Sequence, residues 1–229
     1  MLLKEWVYTR TAWRSQLLAL LIPLAITVTV LTSPLEGKEQ RDGLYAGLVA
    51  VIVYTGLSRP TFRVGADFGL GPGAWVLKAG VPSWRVVASK TAFSFLPAAV
   101  AVVPIAVITA QTLSLDMVPT LLSVLVCLIC SVALSQLLAM MLDNRMLALS
   151  MGAVFAVPAF FAPSNLGPDE LVITLGSALP LLSALTVPSG VAGGAPPALW
   201  AGFALMLQAV ALLSLTTHLW ERRLLRHLS

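Results

Sequence analysis

From Thr91 to Leu142 the chain carries a single charged residue, Asp116. It divides the stretch into two uncharged runs, Thr91–Leu115 and Met117–Leu142. Each is longer than the roughly 20 apolar residues that a helix needs to cross the hydrocarbon of a bilayer. A fold that contains such runs has few places to put them other than lipid. Ser15–Leu35, Gly43–Ser58 and Met146–Pro168 are also uncharged, and between Leu171 and Trp220 the only ionisable side chain is His218. Across all 229 residues 58% are hydrophobic and 10% charged, against about a quarter charged in soluble domains. In a bilayer the backbone is satisfied only by helices or by closed barrels. Barrel strands alternate polar and apolar residues, and these runs do not, so the expectation is an all-α integral membrane protein. It is read as a single transmembrane domain over 1–229. No cleavable signal peptide is expected, because the first apolar run begins near Leu17 without a small-residue cleavage site.

The basic residues give the expected topology. Cytoplasmic loops collect Lys and Arg. With the N-terminus inside, Lys4, Arg10, Arg14, Arg59, Arg63, Lys78, Arg85, Lys90, Arg145, Arg222, Arg223 and Arg226 all fall on the cytoplasmic face. Only Lys38 and Arg41 fall outside, beside Glu36, Glu39 and Asp42. The net charge of +4 therefore speaks for lipid headgroups and against nucleic acid. Two basic ends require an even number of crossings. Leu171–Val187 is the segment that fails to cross, being short, broken by Gly176 and Pro180, and flanked by stretches without a basic residue. The expected architecture is six spanning helices, at 17–35, 43–58, 91–115, 117–142, 146–163 and 198–220, with a re-entrant helical hairpin at 171–187 between the fifth and sixth. Both termini are cytoplasmic, in a multi-pass protein of the plasma membrane.

Residues 1–16 precede the first span. Trp6 and Trp13 lie seven apart and so share a helix face, while Arg10 and Arg14 are spaced i,i+4. This fits a short helix on the cytoplasmic surface, with tryptophan at headgroup level and arginine toward anionic lipid. Simple positive-inside flanking residues remain the other reading. Gly43 and Gly47 form a GxxxG that permits close helix approach, either at a subunit interface or within the same bundle. Cys127 and Cys130 form a CxxC inside an uncharged run, read as two small apolar residues on one helix face.

The spans place no ionisable residue at mid-depth, although ion-coupled carriers usually do. Gln136, Gln208, Thr27, Thr29, Thr109, Ser131 and Ser135 are the mild polar groups expected inside. Ser189 has neither a histidine nor paired aspartates at its depth, which disfavours intramembrane proteolysis. Ala88–Thr91 ("ASKT") lacks the glycines of a phosphate loop, with Ser89 and Arg85 in their places. No catalytic residue, metal or cofactor is expected. If the chain transports, a cytoplasmic partner must supply the work.

Gly71–Lys90 ("GPGAWVLKAGVPSWRVVASK") is suited to receive it. A short cytoplasmic helix is expected over 72–84, bounded by Pro72-Gly73 and Pro82-Ser83. Ala74, Leu77 and Val81 give one apolar face, and Trp75, Lys78 and Trp84 are anchors of the kind enriched at interfaces; Arg85 adds a positive charge. "PSWRVVASK" then leads into the third span. On residue chemistry alone, an amphipathic loop helix resting on headgroups fits equally well.

The segment resembles the cytoplasmic loop of ABC-2 type transporter permeases, the membrane subunits of many ATP-binding cassette exporters. Gly73, Leu77, Pro82-Ser83 and Lys90 stand where that family has a Gly-Thr helix start, a Leu, a Pro-x-Ser-like turn and a Lys opening the third span. The resemblance covers the whole chain in architecture and about twenty residues in motif. It implies that residues 1–16 are an "elbow" helix, that 72–84 is a coupling helix docking separate ATPase subunits, and that 171–187 matches the family's outer re-entrant helices. It further implies two ATPase copies and a second permease subunit, identical or related, with ATP hydrolysis on the partner and not on this chain. The expected ATPase contacts are Gly73, Ala74, Trp75, Leu77, Lys78, Val81, Pro82, Trp84 and Arg85. The family's acidic run before the coupling helix is reduced here to Asp67, so the implied docking is more apolar and basic. A stand-alone carrier or facilitator for a small apolar or amphipathic solute, and a non-transporting membrane assembly or immunity protein, are the alternative readings.

Overall fold

A computed structural model of the chain describes residues 21, 24–25, 27–33, 38–58, 79–142 and 197–228, and every regular element among them is helical. Residues 27–32 are helical. Helix α1 spans Lys38–Ile52 and continues as a π-helix, Val53–Ser58. Helix α2 spans Ser83–Thr112, α3 Met117–Met141 and α4 Pro197–Leu228. Two of these, α2 and α3, are long and apolar enough to cross a membrane. The expected surface helix at 1–16, the span at 146–163 and the re-entrant segment at 171–187 lie outside the described residues.

The start of α2 is set by proline. Pro82 sits at the N-cap with φ −64 and ψ 141, and a proline disfavours the helical region for the residue before it. Gly80 takes φ +73 within the turn at 79–80, a conformation that glycine adopts without steric cost. Of the expected coupling helix over 72–84, residues 72–78 lie outside the described residues. Ala79–Pro82 are turn and extended chain, and Ser83 and Trp84 form the first turn of α2. The helix then stays helical through Pro97 and Pro104. Its 30 residues make a rod of about 45 Å, longer than the roughly 30 Å hydrocarbon core. The expected third span, 91–115, thus overlaps a longer helix that begins about two turns earlier, at Ser83, and ends at Thr112.

At its other end α2 closes in a tight cap. Leu115 N–H donates to Ala110 O at 2.9 Å and Ser114 N–H to Gln111 O at 3.3 Å. Ser114 takes φ +54. This is the paired arrangement in which a left-handed residue turns the chain while satisfying the last carbonyls. Serine fills the position that glycine usually takes, so the boundary at Thr112 has no glycine to mark it. Helix α3 begins four residues later. Asp116 is its N-cap residue, and its carbonyl accepts from Thr120 Oγ1 at 2.7 Å.

Helix α3 is the centre of the described bundle, with α1 and its π-helical end, α2 and α4 packed around it. Its buried residues include Ser123, Cys127, Ser131, Ser135 and Ala139, spaced four apart. Small side chains at that spacing let neighbouring backbones come close. Gly56 of the π-helix uses this. A Cβ there would stand 2.9 Å from Leu128 Cδ1 and 3.1 Å from Ser131 Cβ. The main core joins Leu48, Ile52 and Leu57 to Ala101, Val102 and Ile105 of α2 and to Val124, Cys127 and Leu128 of α3. Cys127 and Cys130 are buried in it and form no disulfide. The outer surfaces of α2 and α3 are apolar, with Leu96, Val100, Val118 and Leu122 more than half exposed. That pattern suits a lipid-facing surface and not a wet one.

Candidate functional site

The described residues bring the start of α2, the end of α3 and the C-terminal part of α4 together at one end of the bundle. Val86 and Val87 from the start of α2, Ala139 and Met140 from the end of α3, and Trp220 from α4 form a second buried cluster, with Val81 and Leu213 packed against it. Helix α2 therefore runs antiparallel to α3 and α4. The short connection at 113–116 accounts for the first pairing. The second is a long-range contact that local sequence does not specify.

Three polar contacts bind the helices at this junction. Ser83 Oγ donates to Glu221 Oε1 at 2.8 Å, joining α2 to α4 across 138 positions of chain. Lys90 Nζ lies 5.9 Å from the ring centroid of Trp220. Lys90 is 6% exposed and Trp220 1%. An ammonium held at this depth needs a compensating partner, and a cation over a desolvated indole gains about 2 kcal/mol. Gln136 of α3 is 1% exposed, and its Nε2 donates to Thr91 Oγ1 of α2 at 3.3 Å. The Thr91 hydroxyl in turn donates to Val87 O at 2.9 Å. Each contact links two different helices, so the site is a mechanical junction.

The sequence-expected contact residues divide into groups. Gly73, Ala74, Trp75, Leu77 and Lys78 lie outside the described residues, as do the elbow residues Trp6, Arg10, Trp13 and Arg14. Val81 is half-buried against the cluster around Trp220. It faces this chain's own helices and anchors the segment to the bundle. Pro82, Trp84 and Arg85 are exposed. The Arg85 guanidinium carbon lies 5.3 Å from the Trp84 ring centroid, which presents one flat, positively charged face. Of the GxxxG pair, Gly43 meets both methyls of Val30 at 2.9 Å from where a Cβ would lie, and Gly47 is buried. Gly43 is therefore taken up by packing within the chain.

Ser83, Thr91, Trp220 and Glu221 were not singled out by the sequence as functional. Gln136 was noted only as a mild polar group within a span. One signal was present. Glu221 is the lone acid in the basic tail Glu221–His227, and such an exception in a charge run is a reason to look for its partner. No protein-family model matches the sequence, and no curated protein or solved structure is significantly similar to it.

Proposed function

We propose that this chain is the membrane-spanning permease subunit of an ABC exporter of the ABC-2 type. It forms the substrate path as a dimer in the plasma membrane, with six spans and both termini in the cytoplasm. Two separate cytoplasmic ATPase subunits dock on the segment that leads into α2 and drive it. The observation that carries this reading is the junction itself. The segment at 59–82 leads directly into a point where α2, α3 and α4 are tied together. A push delivered there reaches three helices at once, which is what a chain powered from outside requires.

The direction of the helices supports the six-span topology. Helix α3 ends at the junction, and α4 reaches it at Trp220 and Glu221, late in its run from Pro197 to Leu228, so α4 starts toward the opposite end of the bundle. The chain between 142 and 197 thus begins at one end and finishes at the other. That requires an odd number of crossings. One span at 146–163 with a non-crossing segment at 171–187 satisfies it, whereas two full spans would not. The same arrangement puts Arg85, Lys90 and Arg222 at the end that the basic residues assign to the cytoplasm.

The docking test uses Trp75→Asp and Leu77→Asp, leaving Val81 alone because it packs inside the bundle. Either substitution is expected to abolish co-purification of the ATPase from native membranes and ATP-dependent export from cells, while the chain still inserts. Export that survives both substitutions would remove the docking segment from the proposal. Solute movement by the purified chain in liposomes without nucleotide would replace the exporter reading with a facilitator.

A further inference from the structure

Helix α2 begins without the devices that normally finish a helix N-terminus. Its N-cap is Pro82, whose side chain makes no capping bond. Its first turn, Ser83–Val86, contains no acid and instead carries Arg85. The N-terminal end of a helix has exposed N–H groups and partial positive charge, and it favours Ser, Thr, Asp or Asn at the cap and acids in the first turn. A positive residue there is unfavourable. The carboxylate that α2 lacks comes from another helix. Glu221 of α4 holds its Oε1 2.8 Å from the hydroxyl of Ser83, the first residue of α2.

We infer that Glu221 is the coupling residue of the junction: its carboxylate, bonded to the Ser83 hydroxyl, stands at the N-terminal end of α2 as a charge cap supplied in trans, so the start of α2 is stabilised while it stays with α4. This rests on the proposed exporter reading and deepens it, because it names the link through which a push on the docking segment passes from α2 to α4. The remaining contacts are suited to hold the rest of the junction together while the cap acts. Val86, Val87, Ala139, Met140 and Trp220 form the buried seat beneath it, and Lys90 stands over Trp220 one further turn into the membrane. Glu221 itself is exposed. Its exchange of partners therefore disturbs no packed core, and its removal need not unfold the bundle.

The test separates the cap from the exporter reading. In the purified full-length chain in detergent, amide hydrogen exchange is followed at residues 83–86, with 117–120 at the start of α3 as an internal control. Glu221→Ala is expected to speed exchange at 83–86 by about twofold to fivefold, the effect of losing a carboxylate at a helix N-terminus, with no change at 117–120. Glu221→Gln keeps an acceptor for Ser83 and is expected to fall between wild type and the alanine variant. Ser83→Ala is expected to match Glu221→Ala. In the complex with its ATPase, Glu221→Ala is expected to raise the ATP hydrolysed per solute exported. A merely structural role would lower hydrolysis and export together and leave that ratio unchanged. Unaltered exchange at 83–86 in Glu221→Ala overturns the inference, and so does an unaltered ratio. If no ATPase accompanies the wild-type chain while Glu221→Ala still speeds exchange, the exporter reading fails and the cap stands.

Discussion

Ser114 bears the conformational cost of ending α2. At φ +54 its Cβ crowds the following carbonyl, a penalty of about 1 kcal/mol for a residue other than glycine. The two hydrogen bonds that close the turn, Leu115 to Ala110 and Ser114 to Gln111, are made by backbone alone and survive substitution. Ser114→Gly is therefore expected to stabilise the folded chain by up to about 1 kcal/mol, less whatever the added freedom of glycine contributes to the unfolded state. Thermal unfolding in detergent measures it, and a fall in midpoint would mean the hydroxyl does more than occupy the turn. This position also explains a sequence boundary that came out slightly long. Uncharged residues continue to Leu115, and without a glycine at the turn nothing in composition marks the stop at Thr112.

The π-helical end of α1 shows how much of an element's role depends on what it touches. Val53–Ser58 reads in the sequence as the last part of an ordinary apolar span. Its wider winding accompanies a close approach in which Gly56 sits directly on Leu128 and Ser131 of α3. π-Helical turns of this kind are rare and concentrate where helices serve a function, and this one immediately precedes residues 59–82, the segment proposed to dock a partner. Gly56→Ala is expected to destabilise by about 1–3 kcal/mol through overpacking. Because the nearest atom is the end of a leucine side chain, Gly56→Ala with Leu128→Ala should cost less than the sum of the two. A denaturation cycle over the four proteins reads this directly, and strict additivity would show that the contact is not tight. The helices themselves were legible in the sequence because uncharged runs and prolines are local signals. Their partners were not. Ser83 and Glu221 lie 138 positions apart, and the burial of Lys90 depends on Trp220 from a helix that local periodicity says nothing about. The coupling segment shows the same limit at its C-terminal edge: an apolar face at Ala74, Leu77 and Val81 fits a helix resting on a partner, and Val81 packs in part against this chain's own bundle.

For the whole molecule, the junction fixes which helix ends share a side. Trp84 and Arg222 are exposed near it, as is Met141, whereas Ser114 is exposed at the far end. Single cysteines at these four positions, labelled in intact cells and in inverted vesicles with a maleimide that cannot cross lipid, should separate three against one. Trp84, Met141 and Arg222 should react only from the cytoplasmic side and Ser114 only from outside. Any of the first three reacting with Ser114 would break the parity on which six crossings rest. The native thiols give a quiet background, since Cys127 and Cys130 are both buried in the main core. The trans cap also bears on biogenesis. The start of α2 is synthesised without its partner, and the carboxylate that completes it is translated 138 codons after Ser83, in the C-terminal part of α4. Nascent chains released before codon 221 would carry a positively charged helix start without that carboxylate, a feature by which membrane proteases could tell an incomplete polypeptide from a finished one.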